Sequence, residues 1–278
     1  MKKITNISGT WTLSNGIEMP YFGLGVFQTK NGKEIVDAIH HAFDAGYRHI
    51  DTASFYDNET GVGEAIRKSS INRNDIFVTS KVWNDEQGYS NTLKAFDASL
   101  KRLGFDYLDL YLVHWPVAGK FKETWKALEY LYKQGKVRAI GVSNFLVHHL
   151  EDLLPDTEIK PMVNQVEFHP YVAQPELLNY CNKNNIQFEA WSPLMQGHVV
   201  NVDLLNNIAE RHSKTAAQVV LRWNLQKGVV TIPKSVRKER IVENGSIFDF
   251  ELSDEEIRQI DLLDKNQRFG IHPDEFDF

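Results

Sequence analysis

The sequence lacks the features that mark secreted or membrane-spanning proteins. Cys181 is its only cysteine, which excludes an internal disulfide and fits a reducing compartment. The longest apolar run, YLDLYLV at 107–113, is far shorter than the roughly 20 residues that cross a bilayer. The opening segment has neither an apolar core nor a small-residue cleavage site, so we do not expect it to be a signal peptide. We therefore expect a cytoplasmic protein with no membrane partner.

A large excess of charge of one sign is also lacking. The 31 basic and 37 acidic residues leave a net charge of −6, so no global field recruits nucleic acid. The chain contains no low-complexity stretch, no Gly/Ser linker and no shift of composition that would mark a domain boundary. These absences predict a single domain over residues 1–278 without a nucleic-acid partner, and we expect a monomer.

Short strand-like segments alternate with segments of helical periodicity along the whole chain. The strands are predicted at residues 21–25, 48–51, 76–81, 107–114, 138–144, 162–168, 187–192 and 229–235. Such alternation predicts an α/β protein whose parallel strands are joined by right-handed helical crossovers. Two architectures satisfy this pattern, a closed barrel and an open doubly wound sheet.

The glycine pattern after the first strand separates these two architectures. A Rossmann sheet carries G-x-G-x-x-G there, whereas GLGVFQ at 23–28 lacks the third glycine. Eight units in this length favour a (β/α)8 TIM barrel. Asn15-Gly16 between apolar residues predicts an N-terminal β-hairpin, which would close the bottom of the barrel. A capping box formed by Ser253 and Glu256 predicts an extra C-terminal helix at 253–263.

Chemically active side chains end most of the predicted strands. In a barrel these ends share one rim, where active sites lie. Solvent-exposed loops explain some polar residues at strand ends. They do not explain a lysine and a histidine at the ends of strands as apolar as IFVTSK and YLDLYLVH. The residues at the strand ends are Asp51, Lys81, His114, Ser143, Asn144, Gln165, Glu167, Trp191, Ser192, Lys234 and Ser235.

Tyr56 lies five residues beyond the strand that ends at Asp51, in the segment DTASFYDNE. A free tyrosine, with a pKa of about 10, is a poor proton donor at neutral pH. We expect the Lys81 ammonium to lower that pKa and Asp51 to keep Lys81 charged and oriented. His114 would offer a second donor to a substrate oxygen. This set predicts a general acid beside a polarised carbonyl, and such chemistry needs a hydride source.

Two other functions remain open on these residues. Glu167 with His169, and His49 with Asp51, have the i, i+2 spacing of a metal pair, as in a metal-dependent barrel hydrolase. In strands that spacing only places side chains on one face, and a metal site gathers three or more ligands, so we predict no metal. A barrel that binds a cofactor as a regulatory or structural protein is the second alternative, since fold alone does not guarantee catalysis.

The motifs HIDTASFYDNE, VTSKVW and LVHWP resemble the catalytic segments of the aldo-keto reductases. The similarity continues in order through GVSNF, NQVEFHP, AWSPL and IPKSVRKERIVEN, and it covers essentially the whole chain. The chain is most similar to the small bacterial members that reduce glyoxal-type aldehydes or diketogluconates. The resemblance implies a (β/α)8 barrel that binds NADPH at the strand C-termini and reduces a small carbonyl compound.

The resemblance also implies a role for individual residues. The catalytic tetrad would be Asp51, Tyr56, Lys81 and His114. The pocket for the substrate would be lined by Phe27, Trp83 and Trp115 beside His114. The residues in contact with the cofactor would extend from the nicotinamide carboxamide and ring to the 2′-phosphate and adenine. They would be Ser143, Asn144, Gln165, Trp191, Ser192, Leu194, Lys234, Ser235, Val236, Arg237, Arg240 and Asn244.

The sequence departs from the family pattern in two places. The residue that stacks on the nicotinamide is often tyrosine, and here it is Trp191, which keeps an aromatic face. The segment after His114 and the final segment RFGIHPDEFDF are shorter than in the large animal members. Because these loops shape specificity in the family, their brevity predicts an open site.

Overall fold

The computed structural model describes residues 4–278, in which strands and helices alternate after a short hairpin. The strands are β1 Thr10–Thr12, β2 Glu18–Pro20, β3 Leu24–Gly25, β4 His49–Asp51, β5 Phe77–Val82, β6 Leu108–Val113, β7 Val137–Ser143, β8 Val163–Glu167, β9 Gln187–Trp191 and β10 Val230–Thr231. The α-helices are α1 Lys33–Asp44, α2 Glu59–Lys68, α3 Tyr89–Leu103, α4 Phe121–Lys133, α5 Val147–Leu153, α6 Pro175–Lys183, α7 Asp203–His212, α8 Ala216–Gln226, α9 Lys238–Gly245 and α10 Asp254–Asp261.

Strands β3 to β10 form one sheet in which every pair of neighbours is parallel. Parallel bridges from Phe22 to Thr231 and from Gly25 to Lys234 join the first strand to the last. Gly25 permits this closure, because a Cβ there would lie 2.8 Å from the carbonyl oxygen of Ile232. The sheet is therefore the predicted (β/α)8 barrel.

The first and last barrel strands are shorter than predicted. The segment 21–25 contributes only Leu24–Gly25, and the segment 229–235 contributes only Val230–Thr231. The two segments meet through isolated bridges rather than a continuous ladder. Pro233 is one reason, since a proline has no N–H to donate.

The N-terminal hairpin is present as predicted, with β1 and β2 antiparallel. Gly16 lies in the connecting turn with φ +87°, a conformation that glycine adopts without strain. The Asn15 amide donates to the carbonyl of Arg138, near the N-terminal end of β7, at 2.9 Å. Met19 is fully buried. The hairpin thus packs at the end of the barrel opposite the strand C-termini.

The C-terminal helix α10 also follows the prediction. Ser253 Oγ accepts from the Glu256 N–H at 3.2 Å, and the Glu256 carboxylate accepts from the Ser253 N–H at 2.9 Å. This is the capping box read from the sequence. None of the helices in residues 4–278 is long and apolar enough to cross a membrane.

The helices bury apolar stripes against the outside of the barrel. On α1, for example, Ile35 and Ile39 are fully buried and Phe43 nearly so, whereas Val36 at the edge of the stripe is partly exposed. Each large apolar side chain buried in this way contributes roughly 1.5–3 kcal/mol. The packing holds the strand ends in place, and so fixes the rim on which the polar side chains lie.

Candidate active site

The loop 51–59 is held rigidly between β4 and α2. The Asn58 amide donates to the carbonyls of Val26 and Thr29 at 2.9 and 3.1 Å, and its oxygen accepts from Thr52 Oγ1 at 2.7 Å. A single 3-10 turn, Ser54–Tyr56, precedes α2. Asn58 directly precedes α2. In the structure it fixes the loop, and the loop places the Tyr56 ring over the end of the barrel.

Lys81 on β5 is the centre of the candidate site. Its fully buried ammonium donates to Asp51 Oδ1 at 2.7 Å, to the Thr52 carbonyl at 2.9 Å and to Tyr56 Oη at 3.4 Å. Burial by itself would lower the pKa of Lys81, but the Asp51 carboxylate and Tyr56 outweigh it and raise that pKa. Lys81 is therefore a permanent positive charge, as predicted.

The expected direction of the Tyr56 pKa was wrong. Burial raises the pKa of Tyr56, and although Lys81 acts in the opposite direction, it does not compensate fully. The Asp51 carboxylate, which accepts from the same Lys81 ammonium, raises the pKa of Tyr56 further, because its negative charge disfavours a phenolate nearby. Tyr56 is thus a neutral phenol over the whole physiological range, which is the protonation state that a proton donor requires.

His114 follows β6 and is neutral. Burial first, and then the positive charge of Lys81, hold the pKa of His114 well below its usual value. Its ring centroid lies 5.8 Å from that of Tyr56 and 5.0 Å from that of Trp83. A neutral imidazole has one N–H donor and one acceptor nitrogen, so His114 can donate to an oxygen without adding charge to the site.

Aromatic rings pack against the Tyr56 ring. Phe27 lies 4.9 Å from the Tyr56 ring, and Trp83 lies beside His114. Trp83 also stacks on Phe55 with a centroid distance of 3.8 Å. Phe55 was missed from the sequence, although it directly precedes the candidate acid and is half exposed. Of the predicted pocket residues, Phe27, Trp83 and His114 are thus linked by ring contacts around Tyr56.

The final segment of the chain also reaches this pocket. Phe278 lies parallel to Trp83, with centroids 5.5 Å apart, and meets Trp115 edge-on at 5.6 Å. Phe276 lies 5.2 Å from Trp115. The Asn84 amide donates to the Phe278 carbonyl at 3.0 Å. The expectation of an open site was therefore wrong on this side, because two phenylalanines that sequence reasoning did not single out cover Trp83 and Trp115.

Polar side chains from β7 and β8 adjoin the tetrad. The Asn144 amide donates to the His114 carbonyl at 2.9 Å and to Ser143 Oγ at 3.2 Å, so the Ser143 hydroxyl keeps its own hydrogen for another acceptor. The Gln165 amide donates to Asp51 Oδ2 at 2.7 Å. Predicted catalytic and cofactor residues are thus parts of one hydrogen-bonded network.

Trp191, at the end of β9, is held from two sides. Its indole N–H donates to Asn144 Oδ1 at 2.9 Å. On the other side Gly270 packs so closely that a Cβ there would lie 2.3 Å from the indole ring. Gly270 was not identified from the sequence. Ser192 and Leu194, which follow, are partly buried in the turn after β9.

The remaining predicted cofactor residues lie in a separate group after β10. Ser235 and Asn244 are buried, Val236 is partly buried, and Lys234, Arg237 and Arg240 are exposed. Ser235 Oγ accepts from the Arg237 N–H at 3.2 Å, which tightens the turn into α9. Within residues 4–278 the charged groups of Lys234, Arg237 and Arg240 have no acidic partner. In the part of the chain that the structure describes, no hydrogen bond or ion pair joins these side chains to the tetrad.

The paired acids and histidines of the metal alternative are engaged otherwise. Glu167 Oε1 accepts from the N–H groups of Phe269 and Gly270, at 2.7 and 3.0 Å, and lies 3.1 Å from His169 Nε2. It thereby anchors the final segment. The structure gathers three possible ligands elsewhere in the described residues, namely His148, His149 and Asp274, and none of these belongs to the predicted tetrad.

Comparison with known proteins agrees with this geometry. Residues 7–265 match the Aldo/keto reductase family. The chain belongs to this family. Membership confirms the expected enzyme class, an oxidoreductase that acts on carbonyl groups, and it confirms the predicted fold.

Similar proteins cover nearly the full length of this aldo/keto reductase. Glyoxal reductase of Bacillus subtilis is 60% identical over 274 residues, which are 99% of each chain. Methylglyoxal reductase DkgA of Escherichia coli is 44% identical over 268 residues, 95% of this chain and 96% of that protein. A crystal structure of a Gox0644 mutant in complex with NADPH has a TM-score of 0.92 at 43% identity, with 97% and 98% of the two chains covered.

Proposed function

We propose that this aldo/keto reductase uses NADPH to reduce small aldehydes and ketones, such as glyoxal and methylglyoxal, to alcohols. The observation that carries the proposal is the chain of contacts from Asp51 through Lys81 to Tyr56, beside neutral His114 and at the rim of the barrel. The reductases of B. subtilis and E. coli named above support the substrate class. Diketo sugar acids are a second proposed class of substrate.

The residues of the tetrad divide the chemistry between them. Tyr56 donates its phenolic proton to the carbonyl oxygen, and the nearby ammonium of Lys81 stabilises the phenolate that remains. Asp51 keeps that ammonium in place. His114 donates to the same carbonyl oxygen and orients it toward Tyr56. Water then returns a proton to Tyr56 before the next turnover.

The residues beside the tetrad fit a nicotinamide cofactor. NADPH, when bound, supplies the hydride. Ser143 has a free hydroxyl hydrogen, Gln165 has a free side-chain oxygen, and Asn144 Oδ1, which accepts from Trp191, has a second lone pair. Together these atoms can bind a carboxamide. The half-buried ring of Trp191, fixed by Asn144 and Gly270, offers a flat apolar face for stacking. The crystal structure of Gox0644 with NADPH supports this choice of cofactor.

The group after β10 fits the 2′-phosphate that distinguishes NADPH from NADH. An NADH site places a carboxylate at the ribose 2′-hydroxyl, whereas NADPH requires positive charge. Lys234 and Arg240 are exposed cations near the start of α9, and Ser235 adds a hydroxyl. We assign the phosphate to these three residues, with Val236 and Arg237 in the same turn and Asn244 at the adenine.

We also propose that the protein is a cytoplasmic monomer made of one domain, residues 1–278. A continuous cluster of buried apolar side chains extends from Leu13 to Ile260, which supports a single domain. Every residue assigned to the site comes from this one chain, so no second copy is needed to complete it. Cys181 is buried and has a free thiol, as expected in a reducing compartment.

A carbonyl screen tests the proposed function. Purified protein should consume NADPH steadily with glyoxal and methylglyoxal, as measured by the loss of NADPH absorbance. Dialysis against a chelator should leave this rate unchanged. Tight NADPH binding without turnover of any carbonyl compound would instead favour a cofactor-binding regulatory protein. Loss of activity that zinc restores would favour a metal-dependent mechanism.

A further inference from the structure

Glu189 is a fully buried carboxyl group inside the barrel, and the mechanism above does not use it. It lies on β9 directly opposite Gln165 on β8, since the two residues are partners in the parallel register. Glu189 Oε2 accepts from Gln165 Nε2 at 2.9 Å. The same nitrogen donates to Asp51 Oδ2 at 2.7 Å, across the barrel on β4. Gln165 therefore spans the interior between two carboxyl groups.

This arrangement determines which way the Gln165 amide faces. The NH2 group has two hydrogens, and the oxygens of Asp51 and Glu189 accept one each. The opposite orientation would place the amide oxygen against Asp51 Oδ2, which belongs to a carboxylate paired with Lys81 and has no hydrogen to donate. Within residues 4–278 the Gln165 side-chain oxygen Oε1 accepts no hydrogen bond, whereas the backbone carbonyl accepts from the Asn144 N–H. The side-chain oxygen is therefore the atom that Gln165 offers to a ligand.

Asp51 alone does not fix this orientation as firmly. It already accepts from Lys81 through Oδ1, and a single acceptor leaves the second hydrogen of the Gln165 amide unpaired. A buried unpaired N–H is costly, so the amide would gain by shifting toward another acceptor. Glu189 removes this cost, because its Oε2 accepts the second hydrogen of the Gln165 amide.

We propose that Glu189 is a positioning residue for cofactor binding. It acts by holding the side-chain oxygen of Gln165 toward the carboxamide NH2 of the nicotinamide. The inference rests on the proposed NADPH-dependent function. It assigns Glu189 no contact with the substrate or with the cofactor. The role of Glu189 is that of a hydrogen-bond acceptor, and a negative charge on it is not required.

Two substitutions separate these properties. Glu189→Gln keeps an acceptor oxygen of nearly the same size, whereas Glu189→Leu removes it. We expect Glu189→Leu to weaken NADPH binding about tenfold, the effect of one hydrogen bond, with the larger change in KM for NADPH and the smaller in kcat. Glu189→Gln should stay within about threefold of wild type. Titration calorimetry with NADPH measures the binding independently of turnover.

Glu129 provides a matched control, because it is another buried glutamate that accepts from backbone N–H groups, those of Glu158 and Ile159. Glu129→Leu should lower the melting temperature without changing the affinity for NADPH. If Glu189→Leu and Glu129→Leu alter NADPH affinity equally, or if Glu189→Gln is as weak as Glu189→Leu, the positioning role is wrong.

The same measurements distinguish this inference from the proposed function. Wild-type protein that binds NADPH but reduces no carbonyl compound would contradict the function and leave the calorimetric comparison intact. Wild-type protein that is active, with Glu189→Leu folded and binding NADPH as tightly as wild type, would contradict the inference alone. Where Glu189→Leu does not fold, Glu189→Ser offers a shorter acceptor, and it should fall between the glutamine variant and a tenfold loss.

Discussion

The charges of the four residues that we assign to catalysis are set by contacts of individual atoms. Lys81 is positive and Asp51 balances it at 2.7 Å, while burial keeps Tyr56 and His114 neutral. Removal of either partner of the buried pair would leave the other charge uncompensated, at a cost of about 3–5 kcal/mol. The pair therefore supports the fold as well as the chemistry. Asp51 also accepts from the Gln165 amide, so one carboxylate contacts both a proposed catalytic residue and a proposed cofactor residue.

Glu189 gives the protein a predicted pH dependence of stability. Burial, with the neighbouring Asp51 charge, raises the pKa of Glu189 from 4.5 to about 8. Between these values the native state keeps a proton that the unfolded state loses, so stability falls as pH rises from about 4.5 to 8. Below that window both states are protonated, and above it both are ionised.

Glu189→Gln removes this ionisation. We therefore expect its free energy of unfolding, relative to wild type, to rise by up to about 1.4 kcal/mol per pH unit within that window. Urea denaturation at a series of pH values measures the difference. A difference that does not depend on pH would mean that Glu189 is ionised in the native protein.

At the scale of single elements, the sequence predicted the strand C-termini well. A lysine or histidine that ends an apolar strand has little structural reason to be there, and Lys81 and His114 both lie at the rim. The loop 51–59 was harder, because only the structure shows that Asn58 ties it to Val26 and Thr29. The direction of the Tyr56 pKa was missed for a similar reason. The identities of Tyr56 and Lys81 indicate that the lysine charge lowers the tyrosine pKa. Burial of Tyr56 raises that pKa by more, and burial depends on packing from the whole barrel.

The turn after β10 and the first turn of α9 give a prediction about cofactor choice. Arg240→Ala should raise KM for NADPH roughly ten- to a hundredfold, because a charge-assisted hydrogen bond contributes about 1.5–3 kcal/mol. Since the 2′-phosphate lies far from the hydride, kcat should change little. Kinetics with NADH should barely respond.

A matched control is Arg258→Ala on α10, whose guanidinium pairs with Glu255 at 2.8 Å on an exposed surface. It should leave both cofactors unaffected. Equal weakening toward NADPH and NADH by Arg240→Ala would mean that Arg240 supports the fold instead of binding the phosphate.

At the scale of the whole molecule, the closed barrel brings together residues that are distant in the chain. Gln165 contacts Asp51, which lies four strands away in the sheet order. The eightfold alternation and the absence of a Rossmann fingerprint predicted the barrel, but not this contact, because it depends on strand register and side-chain length. The covering of Trp83 and Trp115 by Phe276 and Phe278 could not be predicted either, since the final segment has no periodicity that fixes its path.

The central claim is that Tyr56 donates the proton to the carbonyl oxygen, and Tyr56→Phe tests it most directly. The substitution removes one hydroxyl and keeps the ring that packs on Phe27, so we predict that kcat for methylglyoxal falls at least about a hundredfold, with NADPH affinity and melting temperature nearly unchanged. Tyr89→Phe, at an exposed tyrosine on α3, should retain wild-type turnover. Wild-type turnover by folded Tyr56→Phe protein would contradict the account.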